Sequence, residues 1–523
     1  MKKNLNTKLY LLFAIFLGLL TGSCSDSFFD QQAGDRMTPD KHYKSYTDAL
    51  VSMEGAITPL RKTMPNLIMI DGLRSDQMEV TSNADAYLKA INQHDFTADN
   101  PYLNASDYYK VIIDLNEILA NVDQVPYYDR DFTQNQLHYF KGAVIGQRSW
   151  VYFNLLKLYG KAAYIKDNMT KLPESLVTNM MEKDVLIDTL INQLLPVIFD
   201  PKTDIHVEEQ FSSHYVNPKA LLGELYLEKR DYPNAVKYIK MGLESYANKL
   251  EQYKVDKTYS LIAWKNIFLN GDQGSLNLGR PGGQAGSAGP MGSAEIMGVI
   301  PFNRNEAQDN PLPDFMMYSK QYLVKPTQLL VDSFKNQVQL LGVIGDIYRG
   351  IGVSIDTAAN GDYYIKKYSV DLAEPTSSDI ILERATDLHL LLAEALNRSG
   401  DSKTALILLN DGFNAVTAKP ATYAQWSGNV GVRGRVYLKT RVVPIYLPAS
   451  VIPDYVEDLI MDERSLELAF EGKRWFDLVR VANRRNDPAY LANKVAAKFA
   501  GKPEYNAIKA KLMNKANWYL PMK

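Results

Sequence analysis

Three glutamates at four-residue spacing, Glu463, Glu467 and Glu471, lie inside the stretch Leu459–Arg480, LIMDERSLELAFEGKRWFDLVR. That spacing puts them on one stripe of a helix, while Val456, Leu459, Ile460, Leu466 and Phe470 make up an apolar side. A fold containing this segment has to bring cations to the stripe, because like charges one helical turn apart repel. Arg464, Arg474 and Arg480 are the candidates nearest in sequence, and Gly472 stands where a helix end wants a positive φ. Two chemistries fit the pattern. Side chains at i, i+4 have Cβ atoms about 6 Å apart, close to the roughly 5 Å of a retaining glycosidase pair. An ion-pair network pinning the helix to its neighbours uses the same residues and needs no substrate, and it is the expected reading.

Helical periodicity runs through much of the remaining chain. Thr47–Leu60 reads as a first helix with Thr47 as its cap, Ser106 as the cap of a second, and Gln136–Tyr159 as a third closed by Gly160. Between the first two, Asp71–Asp76 interrupts the apolar pattern with charges and reads as a loop. In Ala220–Leu243, Gly223, Tyr226, Ala235 and Ile239 take the small and large positions of a tetratricopeptide helix pair. Ala393, Leu396, Ala405 and Leu409 repeat that spacing in Leu388–Asn410. Between these pairs Gly271–Gly298 holds nine of the 31 glycines, too many for a helix or a packed core. A long loop is predicted there, followed by a short strand at Ile296–Pro301 and a helix over Lys325–Phe334.

The run carried by Glu463, Arg464, Glu467, Leu468, Phe470, Glu471, Gly472, Arg474, Trp475, Asp477 and Arg480 resembles the C-terminal signature of the SusD/RagB family. Ser293–Ile296 and the pair Asp346 and Arg349 resemble two further family segments, with Met297 and the spacing of the second pair as departures. The resemblance implies a mostly α fold, a tetratricopeptide-like helical repeat scaffold with a loop-rich insertion, about 255–380, that carries short strands. It also implies that the signature residues are structural. The family comprises outer-membrane nutrient-binding lipoproteins that cap a TonB-dependent transporter.

The N-terminus agrees with such an address. Lys2, Lys3 and Lys8 precede twelve mostly apolar residues, Leu9–Leu20, too few for the ~20 of a membrane span, so residues 1–23 read as a secretory signal. Cys24, the single cysteine, follows Leu20-Thr21-Gly22-Ser23 as in the lipobox of bacterial lipoproteins, with Thr21 where an apolar residue is usual. Residues 24–46 would then be a lipid-anchored linker and 47–523 one domain. The expected location is the outer membrane, lipid-anchored and facing the exterior.

Catalytic and cofactor patterns are missing from the sequence. Six histidines stand apart from any zinc-ligand spacing, Ser287 lacks a nucleophile-elbow frame, and there is no phosphate-binding glycine loop. No metal, no cofactor and no enzyme activity are expected, and a net charge of −2 argues against a nucleic-acid binder. Tyrosine is the positive signal, at 33 residues. Flat aromatic faces suit the apolar side of sugar rings, while amides, carboxylates and guanidinium groups suit their hydroxyls. By analogy with where the family binds ligands, contacts are expected at Asp71, Arg74, Asp76 and Tyr87, and at Asn303, Arg304, Tyr318 and Tyr322. The implied function is capture of an oligosaccharide and its transfer to a SusC-like TonB-dependent barrel. A peptide ligand, as in the RagB branch, and a surface glycosidase built on the glutamate stripe are the alternatives.

Overall fold

The computed structural model describes residues 42–166, 180–198, 216–244, 296–302, 307–369, 378–417, 419–426 and 428–522. The predicted signal segment, Cys24, most of the glycine-rich loop, Asn303 and Arg304 lie outside the described residues.

The described chain is mostly helical, and its strands come as four antiparallel two-stranded pairs. Local chemistry explains where the helices start. Ser45, two residues before the expected Thr47, caps Tyr46–Ile57 through a reciprocal box with Asp48. Thr133 and Gln136 do the same for Gln134–Tyr159, which ends at Gly160 with φ +75°. Ser106 does not cap the helix Ser106–Asn121. It is the first helical residue, and the Asn104 side chain accepts from its backbone N–H and its hydroxyl.

Both predicted helix pairs form. Pro218–Glu228 packs on Tyr232–Leu243, and Ala385–Arg398 on Ser402–Leu409, each second helix capped by an aspartate, Asp231 or Asp401. The small positions are contact points. A side chain at Gly223 would meet Ile239, and one at Gly242 would meet the backbone of Ala220. The two pairs also pack against each other through Tyr232–Leu243 and Ala385–Arg398, as stacked repeats do.

Strands tie distant parts of the chain together. Ile296–Ile300 pairs with Ile380–Arg384, so a strand inside the expected insertion is held on the strand that leads into the second repeat. Met78–Val80 pairs with Val324–Pro326, after which Thr327 caps the helix Gln328–Lys335. The expected start at Lys325 is therefore strand, because Lys325 and Pro326 are held in register with Glu79 and Met78.

Asp71–Asp76 is not a loop. The helix Leu60–Arg74 runs through most of it, and Asp71, Gly72, Leu73 and Arg74 are all buried. Gly72 faces Met78 so closely that a Cβ would collide with its side chain.

Candidate functional site

The glutamate stripe is sealed inside the protein. The helix is Ile452–Glu467, so Glu471 lies in the turn beyond it, where Phe470 and Gly472 both have positive φ. Glu463 and Glu467 are at most 1% exposed, and Glu471 is also buried. Arg349 Nη1 donates to Glu463 at 2.8 Å and to Glu467 at 2.6 Å, and its Nε donates to Asp346 at 2.8 Å. Arg384 bridges Glu467 (Nη1, 2.8 Å) and Glu471 (Nε, 2.9 Å). Arg433 donates to Glu463, and Lys367 to Glu471 at 2.6 Å.

None of the three cations nearest in sequence answers the stripe. Arg464 pairs with Asp387 and Asp477, Arg474 with Asp76, and Arg480 with Glu394 and Asp477. Burial by itself would raise the Glu467 carboxyl, but Arg384 and Arg349 outweigh it and hold its pKa down at about 2. A carboxylate so held neither gives up its charge nor meets a substrate. The glycosidase alternative built on this stripe is overturned by its burial.

The predicted ligand contacts divide in two. Asp71, Arg74 and Asp76 belong to the interior. Asp71 Oδ1 accepts the backbone N–H of Trp475 at 2.8 Å, and burial pushes its pKa up to about 7. Arg74 lies 4.0 Å over the Trp475 ring and donates to the Asn517 carbonyl; burial lowers its pKa to about 9. Asp76 receives both prongs of Arg474 at 2.8 Å, which outweighs burial and keeps it ionised. These three hold the signature turn in place; Asp71 and Arg74 are sealed from solvent, and both carboxylate oxygens of the partly exposed Asp76 are taken by Arg474.

Tyr318 and Tyr322 precede the strand Val324–Pro326 and Tyr87 follows its partner Met78–Val80, so the strand pairing brings their two segments together. Past that strand pair, Thr81 N donates to the Leu323 carbonyl at 3.0 Å, the Thr81 hydroxyl donates to the Tyr322 carbonyl, and Asn83 Nδ2 donates to the Gln321 carbonyl at 3.1 Å. Thr81 and Asn83 are thus tied to residues 321–323. Asp85 then caps the helix Ala86–Asn92, whose second residue is Tyr87.

Tyr322 is 7% exposed and sits at φ +49°, a strain of about 1–3 kcal/mol for a non-glycine residue. Its hydroxyl donates to the Tyr363 carbonyl at 2.7 Å, and its ring meets Tyr318 edge-on at 5.1 Å. Burial, with Asp362 nearby, pushes its pKa up to about 12, so it stays a neutral phenol. Tyr318, 40% exposed, and Tyr87, 47% exposed, turn aromatic surface to solvent among the exposed polar residues Ser82, Asn83, Ser319, Lys320 and Gln321. Aromatic faces framed by hydroxyl and amide groups can stack on and hydrogen-bond a polar ring, and no group among these is poised for proton transfer.

A cavity of about 20 Å³ lined by Lys157, Glu224, Asp387, Arg464 and Lys473 has room for roughly one water, far less than a sugar needs.

Residues 352–523 match the family model of the SusD family. The chain is 23% identical over 511 residues to SusD-like protein P38 of Formosa agariphila, covering 92% of each. Its fold is similar to that of a SusD superfamily protein from Bacteroides vulgatus, with a TM-score of 0.65 at 15% identity over 92% of this chain and 96% of that one. It is also similar to a laminarin binding SusD-like protein, with a TM-score of 0.57 at 16% identity over the same shares of the two chains.

Proposed function

We propose that this chain, which belongs to the SusD/RagB family, is an outer-membrane lipoprotein that captures an oligosaccharide and hands it to a partner TonB-dependent transporter. The observation that carries the reading is the tyrosine edge: Tyr318 and Tyr87 expose aromatic faces on two segments tied together through Thr81 and Asn83. A preorganised platform of aromatic faces stacks on a sugar ring at little entropic cost. Capture and release need no proton transfer. The likeness to a laminarin binding protein supports a glucan as the first ligand to try.

The anchor in this reading is an acyl group on Cys24, after removal of residues 1–23. No helix among the described residues is long and apolar enough to cross a membrane. Residues 24–46 serve as the tether and 47–523 as the binding domain, facing outward.

Calorimetry of the chain against laminarin oligosaccharides, other glycans and mixed peptides tests the proposal. Heat with a glycan that Tyr318→Ala removes is the expected result. Heat with peptides alone overturns the glycan reading, and glycan heat untouched at both Tyr318 and Tyr87 overturns the placement.

A further inference from the structure

Two turns on the far side of the Arg349 and Arg433 network carry side chains that turns do not ordinarily carry. In the hairpin 337–345, Val338 bridges Ile344 and Gly342 N donates to the Gln339 carbonyl at 2.9 Å, placing Leu340 and Leu341 at the turn centre. The segment 437–439 adds a third strand: Leu340 N donates to the Tyr437 carbonyl at 2.7 Å, and Lys439 N to the Val338 carbonyl at 2.9 Å. Further along, Leu447 N donates to the Pro444 carbonyl at 3.1 Å, so Ile445 and Tyr446 occupy a second turn centre. Such positions favour Gly, Pro, Asn, Asp and Ser, whose backbone preferences or short polar side chains close the turn.

Here they hold Leu-Leu and Ile-Tyr, and they project. Leu341 is 94% exposed, Ile445 104% and Tyr446 81%, with Val343, Ile344, Ile347, Tyr437 and Val442 also open to water. Over 336–351 and 437–453 the sole acidic residue is Asp346, buried against Arg349, while Lys439 is exposed and Arg441 half-buried. The bases of the turns are rigid: Arg349 and Arg433 are anchored on Glu463, and Arg433 Nε donates to the Lys439 carbonyl at 2.9 Å. Apolar surface this extensive marks a contact site.

We propose that the turns 339–342 and 444–447 are a lipid-contacting surface whose apolar tips enter the headgroup region of an anionic leaflet, with Lys439 and Arg441 facing its phosphates. A protein partner would need a separate pocket for each projecting tip, whereas a fluid leaflet shapes itself around them. Tyrosine suits that depth, with its apolar ring inward and its hydroxyl at the headgroups. Turns that expose a lysine and no carboxylate suit anionic phosphates, and firm attachment takes two membrane signals, for which an acyl chain and such a surface would serve. The inference goes beyond ligand capture and does not depend on it.

Vesicle flotation tests it, using the chain from residue 24 with Cys24→Ala. That form keeps every described element and removes both the signal segment and the acylation site. It should float with vesicles of phosphatidylethanolamine and phosphatidylglycerol, and less with phosphatidylcholine. Leu341→Asp combined with Ile445→Asp should cut partitioning at least tenfold at an unchanged melting temperature, and Lys439→Glu should cut it on the anionic vesicles alone. Absence of flotation overturns the proposal, as does a double variant that floats like the parent. So does light scattering that shows a dimer of the parent dissolved by the double variant, which would make the tips a contact between copies.

Discussion

The carboxylate network and the tyrosine edge use opposite physics. In the network every glutamate of the stripe receives at least two donors and is almost fully buried, so its geometry is over-determined. Along the edge a few backbone hydrogen bonds hold one strained tyrosine, and its neighbours face water. Residues with the loudest sequence signature therefore build the frame, and the residues proposed to meet a ligand carry almost none. A buried ion pair is costly to break from one side, because the abandoned charge has no water to turn to. Arg384→Met takes one cation from Glu467 and one from Glu471 at once, leaving Arg349 and Lys367. It should lower the unfolding free energy by about 3–5 kcal/mol in urea denaturation. A loss below about 1 kcal/mol would mean that the network is solvated and that the contrast with the edge fails.

Acidity separates two kinds of buried carboxyl within the frame. Glu467, held at about 2, contributes stability that is present above its ordinary 4.5 and lost as pH falls from there towards 2. Asp71, pushed up to about 7 by burial, does the reverse. Its neutral form is favoured in the fold, so its contribution is whole below its ordinary 3.8 and is lost as pH rises through 7. At about 1.4 kcal/mol per pKa unit, the two amount to at most roughly 3 and 4 kcal/mol. Urea titrations between pH 3 and 8 should show the Glu467→Gln deficit constant above pH 5 and shrinking below it. Asp71→Asn should gain on the parent from pH 4 to pH 7. Parallel profiles for the two variants would show that Arg74 and Trp475 leave Asp71 as ionised as Glu467.

The frame was readable only in part even where a residue's job is done by neighbours in sequence. Gly160 at the end of the helix closing at Tyr159 and Gly223 at a helix crossing are read from the sequence, whereas the boxes of Ser45 with Asp48 and Thr133 with Gln136 pass unread in favour of Thr47 and Gln136. What could not be read is who answers a charge from far away. Glu467 finds Arg384 and Arg349 across 83 and 118 positions, while Arg464, three residues off, turns to Asp387. Asp71, Arg74 and Asp76 looked like a polar loop because their partners, Trp475, Asn517 and Arg474, lie about 400 positions downstream. The edge was legible only as tyrosines in irregular segments. The link between 81–83 and 321–323 is one backbone hydrogen bond and two from the Thr81 and Asn83 side chains to backbone carbonyls, and an acceptor that is backbone leaves no residue signature.

At the edge, stability and binding should come apart. Tyr318→Ala removes an exposed face and one edge-on ring contact, so it should cost less than about 1 kcal/mol of stability. It should lower affinity for an oligosaccharide about tenfold if stacking holds the ligand. Equal losses in both measurements would place Tyr318 with the frame.

The smallest expected effect tests whether the edge is positioned or merely present. Tyr322→Phe keeps the ring against Tyr318 and keeps the left-handed backbone, while deleting the one hydrogen bond to the Tyr363 carbonyl. A net hydrogen bond is worth about 1 kcal/mol, and the strain at φ +49° is comparable, so the turn would lose much of what opposes its relaxation. Unfolding free energy should fall by about 1 kcal/mol. If Tyr322 aims Tyr318, affinity should fall severalfold as well, although Tyr322 itself is too buried to touch ligand. Calorimetry that finds the parent affinity in a variant destabilised by that amount would leave Tyr318 placed by the zipper of Thr81 and Asn83 alone, and Asn83→Ala would then be the substitution that loosens it.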